Sequence, residues 1–168
     1  MEQPDNSLEQ ALEKWRQGRA SLEDVRSLVV DTGNQHFLPG IPALVQLLDH
    51  EDEIVRYHAA MSLGFDLHHK PATDRLLAML AKDSDEDCRD AAAGALKILW
   101  QNTKDPRVLN ALAEAALNDS DEDVRSSAYE ALIIVNGVSR EEHLRLVTSP
   151  RPQVDPGRVK AILAEISQ

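Results

Sequence analysis

The chain has 168 residues, of which 42% are hydrophobic and 4% aromatic, a composition that supports a folded core and favours helix over strand. Its net charge of −11 opposes binding to nucleic acid and to anionic membrane surfaces, whereas it suits a basic protein partner or simply keeps the protein soluble. A single cysteine excludes an intrachain disulfide. Because the sequence has no signal-peptide pattern and no apolar run of about 20 residues, we expect a cytoplasmic protein.

The first predicted unit covers residues 7–33 and contains two helices. Ser7 and Ser21 are the candidate N-caps, since a serine before an apolar-periodic stretch is typical of a helix start. The apolar stripes are Leu8, Ala11, Leu12 and Trp15 in the first helix and Leu22, Val25, Leu28 and Val29 in the second. Gly33 and Pro39 then interrupt the helical pattern.

Residues 41–137 contain three repeats, of which the segments 48–63, 81–96 and 117–132 align without gaps. Each segment has an acidic turn, an apolar residue followed by arginine, alanine three residues after the arginine and leucine seven after it. The arginines, Arg56, Arg89 and Arg125, are 33 and then 36 residues apart, so each repeat has room for two helices.

Spacings of three and four residues predict one apolar face on each helix of a pair. The first helices carry Ile41, Leu44, Leu47 and Leu48, then Leu76, Leu77 and Leu80, then Leu109, Leu112 and Ala116. The second helices carry Val55, Ala59 and Leu63, then Cys88, Ala92 and Leu96, then Val124, Ala128 and Leu132. Asp52, Asp85 and Asp121 are the predicted N-caps of the second helices.

Residues 139–168 form the last predicted unit. Ser139 begins a helix with Leu144 and Val147, and after a proline-rich turn Asp155 caps a final helix that Pro156 opens. The whole chain, 1–168, is therefore predicted to be a single domain of about nine or ten helices, with divergent units at both ends.

The pattern Leu-Asp-x-x-Asp-x-x-Val-Arg-x-x-Ala-x-x-x-Leu across residues 48–63 resembles the HEAT repeat, and is most similar to the short bacterial form found in phycobilisome lyases. The resemblance implies an all-α fold, an α-solenoid of stacked antiparallel helix pairs. It also implies a structural ladder between Arg56, Arg89 and Arg125 and acidic turn residues of adjacent units. The candidates for those acidic residues are Asp52, Asp85 and Asp121.

Patterns typical of catalysis or metal binding are weak. The turns Asp83-x-Asp85-x-Asp87 and Asp119-x-Asp121-x-Asp123 begin like a calcium loop, but Cys88 and Val124 stand where such a loop needs glycine. The histidines lack zinc-ligand spacing, no nucleophile elbow or phosphate loop occurs, and Cys88 fills a slot that holds valine in the other repeats. We therefore expect no enzyme activity, cofactor or metal.

The second helices normally line the concave face of this architecture, so the residues opposite their buried stripe are the predicted contacts for a partner. They are Tyr57, Met61, Asp90, Lys97, Ser126 and Glu130. Tyr57 is the strongest candidate because its counterparts are polar, while Phe65 and Trp100 are expected to pack between repeats.

These features favour a module or scaffold that binds a protein partner, which the charge predicts to be basic. Two alternatives remain open: an immunity or antitoxin-like protein that neutralises a toxin, and a bilin lyase or chaperone of the HEAT-like kind. The chain could act as a monomer or as a subunit of a larger complex.

Overall fold

The computed structural model describes residues 7–148 and 152–166, which contain ten α-helices and no strand. The helices are α1 (Ser7–Arg16), α2 (Leu22–Asn34), α3 (Ile41–Leu47), α4 (Glu53–Met61), α5 (Thr73–Lys82), α6 (Glu86–Trp100), α7 (Pro106–Asn118), α8 (Glu122–Asn136), α9 (Arg140–Thr148) and α10 (Pro156–Ile166). This confirms the all-α prediction and the predicted number of helices. Part of the proline-rich turn before α10, including Pro150, lies outside the described residues.

The helices pack as neighbouring pairs in two layers. α1 packs on α2, α3 on α4, α5 on α6 and α7 on α8, while α2, α4, α6 and α8 lie side by side in one layer. α5 and α7 are neighbours in the other layer, and α10 packs against the last pair. The second helices α4, α6 and α8 thus share one exposed face, as stacking of antiparallel hairpins requires.

Helix starts follow the predicted capping chemistry. The carboxylates of Asp52, Asp85 and Asp121 accept hydrogen bonds of 3.0 Å from the backbone amides of Val55, Cys88 and Val124, respectively. Each aspartate therefore satisfies an amide that the first helical turn would otherwise leave without a partner. Ser21 forms a reciprocal capping box with Asp24 at the start of α2, and Asp155 accepts from two amides at the start of α10.

A continuous apolar core runs from α1 to α10. All nine predicted second-helix core positions, from Val55 to Leu132, are buried, and Cys88 is among them. Leu22 and Leu144 differ from expectation because both are largely exposed. They lie in the terminal units, where a helix has fewer neighbours to cover its apolar side chains.

α4 ends earlier than the repeat pattern predicts. A π-helical turn, Ser62–Asp66, follows it, and Ser62 donates a hydrogen bond of 2.8 Å from its hydroxyl to the carbonyl oxygen of Val29 in the preceding unit. Gly64 lies directly against α6, since a Cβ at Gly64 would be 2.4 Å from the Cβ of Ala95.

Arginines of successive units connect the repeats. Arg56 donates two hydrogen bonds to Asp83, at 2.8 and 2.7 Å, and Arg89 donates two to Asp119, both at 2.9 Å. Arg26 also contacts Asp52, but through a single hydrogen bond of 2.6 Å. The two-fold contacts of Arg56 and Arg89 have the geometry in which arginine binds a carboxylate most strongly.

The ladder partners differ from two of those expected. Asp83 and Asp119 accept from the arginines, whereas Asp85 and Asp121 cap helices, because only the residue directly before a helix reaches its free amides. Arg125 also departs from the pattern. Its described hydrogen bonds go to the carbonyl oxygens of Asp119 and Ser120 in its own turn.

The ladder stabilises the charged form of its carboxylates. Burial by itself raises the pKa of Asp83 and Asp119. Hydrogen bonds from Arg56 and Arg89, with those from backbone amides and the nearby positive charges, outweigh burial and hold each pKa below its usual value. The two carboxylates are therefore charged in the folded protein at neutral pH.

Candidate functional site

The exposed side of α4, α6 and α8, here called the second-helix face, contains the predicted contact residues. All six are half-buried. Five of them line one pocket of about 210 Å³, which we call the apolar pocket after the Tyr57, Met61 and Phe65 side chains of one of its walls. The pocket is lined by Tyr57, Met61, Phe65, Asp90, Ala91, Gly94, Lys97, Ser127 and Glu130.

One wall of the apolar pocket comes from α4 and the π turn that follows it. Tyr57, Met61 and Phe65 follow one another at four-residue steps along this wall. Gly94 of α6 lies opposite, and a Cβ there would be 3.1 Å from the ring of Phe65. The missing side chain therefore keeps the pocket open beside an aromatic ring.

The other wall is polar and contains an ion pair beside Asp90. Lys97 of α6 donates a hydrogen bond of 2.8 Å from its ammonium group to Glu130 of α8, and both side chains are mostly buried. Sequence reasoning treated the two as separate contact residues. Their spacing in the chain gives no sign of this pairing, which arises from the packing of α6 on α8. Together they make a charge-balanced rim rather than two free charges.

A second pocket, of about 400 Å³, adjoins the first and shares Tyr57 with it. We call it the acidic pocket. It is lined by Glu53, Ile54, Tyr57, His58, Asp85 and Asp87. The rings of Tyr57 and His58 lie edge to face, with centroids 5.2 Å apart and planes at 85°.

Ile54 is a feature of the acidic pocket that sequence reasoning missed. The residue is 42% exposed, in a slot that holds Asp87 and Asp123 in the other two repeats. The sequence did contain a signal for this residue, because Ile54 is apolar where the other two repeats have an acidic residue. Aspartate is favourable in the first turn of a helix because its charge interacts with the helix dipole. An isoleucine there exposes apolar surface to water, which is typical of an interaction site.

Ser126 does not join the other predicted contacts. It lines a separate pocket, of about 590 Å³, between the start of α8 and the segment before α10. Ser127, one residue further along the helix, lies in the apolar pocket instead. Helical rotation of about 100° per residue accounts for the difference.

Phe65 and Trp100, which were expected to behave alike, have different roles. Trp100 donates a hydrogen bond of 2.9 Å from its indole nitrogen to the hydroxyl of Thr73, and the ammonium of Lys70 lies 4.8 Å from its ring centroid. It joins α6 to the start of α5, in agreement with the packing role expected. Phe65 instead lines the apolar pocket, four residues beyond Met61 and within the π turn.

Groups suited to chemistry are sparse in the described part of the chain. Within residues 7–148 and 152–166, no three His, Cys, Asp or Glu side chains lie close enough to hold a metal ion. Burial raises the pKa of the Cys88 thiol to about 12, so the reactive thiolate is scarce at neutral pH. No helix in these residues is long and apolar enough to span a bilayer.

Comparison with known proteins agrees with the observed packing. No curated protein matches the chain. A model of the family described as HEAT repeats matches residues 41–133, more than half of the sequence. That range covers α3 to most of α8, including both pockets of the second-helix face. The chain therefore belongs to the HEAT-repeat family and is an all-α solenoid of stacked helix pairs.

Proposed function

We propose that this HEAT-repeat protein is a non-catalytic interaction module that binds a basic protein partner through the second-helix face. HEAT repeats generally serve as protein-interaction scaffolds. The observation that carries the proposal is the pair of adjoining pockets along α4, where large apolar side chains stand beside carboxylates. Such side chains are common anchors in protein interfaces.

Charge supports a basic partner. The chain carries 29 acidic against 18 basic side chains, and Glu53, Asp85 and Asp87 line the same pocket as the exposed Ile54 and the half-buried Tyr57. Complementary charge steers association and weakens with salt. Neutralising a basic toxin would be one form of this binding activity. The bilin-lyase role is a separate prediction, which rests on the resemblance to HEAT-like lyases.

Affinity capture from a lysate of the native organism, read by mass spectrometry, tests the proposal. The baits are the wild type, Ile54→Glu and the control Leu38→Glu. Leu38 is an exposed apolar residue outside both pockets, so its variant carries the same change of charge. Capture is run at about 0.1 M and about 0.5 M salt, between which the electrostatic screening length falls about twofold.

The proposal expects a stoichiometric basic protein that is retained by the wild type and Leu38→Glu and lost with Ile54→Glu or at high salt. Capture of no protein at either salt would contradict it, as would a partner that Ile54→Glu retains fully.

A further inference from the structure

We infer that Arg125 binds a carboxylate from outside the chain, namely the side chain of an aspartate or glutamate on a partner polypeptide. Arg56 and Arg89 each bind an aspartate of the following repeat, whereas the unit that follows Arg125 has a glutamine at the matching position. The proposed site lies apart from the two pockets of the second-helix face and goes beyond the function proposed for them.

Gln153 occupies the position that supplies the ladder carboxylate in the preceding units. Asp83 and Asp119 each stand two residues before the aspartate that caps the next helix. Gln153 likewise stands two residues before Asp155, which caps α10. The three residues therefore share one register, and in the last unit a neutral amide replaces the carboxylate. An amide oxygen is a weaker partner for a guanidinium because it carries no net charge.

Carbonyl oxygens of its own turn hold the Arg125 guanidinium as they hold that of Arg56. Nη1 of Arg56 donates to the carbonyl oxygens of His50 and Glu51, at 2.9 and 3.0 Å, and its Nε and Nη2 then bind Asp83. Nη1 of Arg125 donates to the two equivalent carbonyl oxygens, at 2.8 and 3.1 Å. In the described parts of the chain, Nε and Nη2 of Arg125 donate no hydrogen bond. The edge that binds aspartate in the other repeats is thus oriented and available.

A pocket of about 590 Å³ is bordered by both Arg125 and Gln153. We call it the Arg125 pocket, and Ser126, Val154 and three acidic residues at the start of α8 also line it. Gln153 is exposed, whereas the side chains of the two ladder aspartates are only 7% and 8% exposed. The space is larger than one carboxylate fills, so a ligand can enter together with the residue that carries the carboxylate.

The acidic residues at the start of α8 do not exclude a carboxylate ligand. Asp121 caps the helix and accepts hydrogen bonds from two backbone amides, which compensate its charge. The two acidic residues that follow it are matched in α6, where Arg89 holds Asp119 through two hydrogen bonds all the same. An arginine with the same neighbours therefore binds a carboxylate elsewhere in this protein.

The occupied positions of the ladder indicate the kind of ligand. Asp83 and Asp119 are aspartate side chains in turns, and each accepts a pair of N–H donors. An aspartate or glutamate on a partner segment reproduces that contact. The acidic residues around the Arg125 pocket oppose a multiply charged anion such as phosphate. A single carboxylate on an otherwise neutral or basic segment fits the pocket best.

Supplying the carboxylate from within the chain tests the register. Gln153→Asp should pair with Arg125 and raise the melting temperature by about 2–4 °C. Gln153→Asn is the matched control, because it has the same size without the charge, and it should give no rise. The gain should also vanish in an Arg125→Met background, which completes a double-mutant cycle. No rise, or a rise that persists without Arg125, would overturn the inference.

Peptide titration tests binding directly. The probe is the capped tripeptide acetyl-Asn-Asp-Ser-amide, which copies residues 118–120, and its matched control is acetyl-Asn-Asn-Ser-amide. Each is added to the whole ¹⁵N-labelled protein, and NMR follows the Nε–H signal of Arg125, identified as the one that Arg125→Met lacks. We expect the aspartate peptide to shift this signal saturably and to bind about tenfold more tightly than the control. Gln153→Asp should weaken that binding about tenfold, because it occupies the same donors.

Sodium acetate and inorganic phosphate represent the other sources of negative charge. At equal concentration, each should shift the Arg125 signal less than the aspartate peptide does. A shift as large with either anion would overturn the assignment to a polypeptide side chain. The absence of a shift with the aspartate peptide, equal binding of the two peptides, or binding that Gln153→Asp leaves unchanged would also overturn it.

Discussion

Replacing Arg89 with methionine should destabilise the protein substantially, because Arg89 connects two repeats. Its guanidinium donates two hydrogen bonds of 2.9 Å to Asp119 and a third, of 3.0 Å, to the carbonyl oxygen of Asp83. Methionine keeps most of the apolar stem and removes all three.

The magnitude follows from burial. The side chains of Arg89 and Asp119 are 11% and 8% exposed, close to the buried case, in which removing one partner costs about 3–5 kcal/mol. Asp119 still accepts a hydrogen bond from the amide of Asp121, so we expect the low end, about 3 kcal/mol. For a chain of this size that corresponds to a melting temperature about 6–12 °C lower.

Thermal melting followed by circular dichroism measures the effect, with Arg107→Met as the matched control. Arg107 contacts Asp74 at 3.2 Å, but the two side chains are 59% and 85% exposed, and such a pair is worth less than about 1 kcal/mol. If Arg89→Met lowers the melting temperature no more than Arg107→Met does, the ladder does not stabilise the stack and the reasoning is refuted.

Three further predictions concern the core and the ladder. Gly64→Ala should destabilise the protein by about 1–3 kcal/mol in urea unfolding, although alanine is the better helix former, because its Cβ would lie 2.4 Å from that of Ala95. Cys88 should react with a thiol reagent at pH 8 only after unfolding, since it is buried and its pKa is about 12. Stability should fall as the pH drops below about 4, where Asp83 and Asp119 begin to protonate in the unfolded chain but stay charged in the folded one until lower pH.

Each of these three predictions has a control or an outcome that would contradict it. Gly94→Ala should be much milder than Gly64→Ala, because its Cβ meets only the ring edge of Phe65, which borders a pocket. Labelling of Cys88 in native protein as fast as in urea would contradict its burial. An unchanged acid-unfolding curve for Asp119→Asn would contradict the ladder's part in the pH dependence.

Local rules made most of the fold predictable. Aspartate before an apolar-periodic stretch marked the starts of α4, α6 and α8, and the three- and four-residue spacing marked their buried sides, because both signals act within a few residues of the chain. The ladder was predictable only in outline. Asp83 and Asp85 are both aspartates of the same turn, and the geometry of the turn decides which one caps the helix and which accepts from Arg56.

The candidate site was predictable where helical rotation alone places a side chain, as for Tyr57 and Met61. Contacts that depend on packing between units were not: the pairing of Lys97 with Glu130 is one example. Phe65 was expected to pack between repeats, whereas the structure places it in a pocket wall within the π turn, and nothing in its local sequence signals that position.

Hydrogen–deuterium exchange of the protein with and without its captured partner tests the central claim most directly. Binding at the second-helix face predicts added protection in peptides that cover α4 and the first turns of α6, with little change in α5 and α7. Protection concentrated in α5 and α7, with α4 unchanged, would place the partner on the opposite layer and contradict the account.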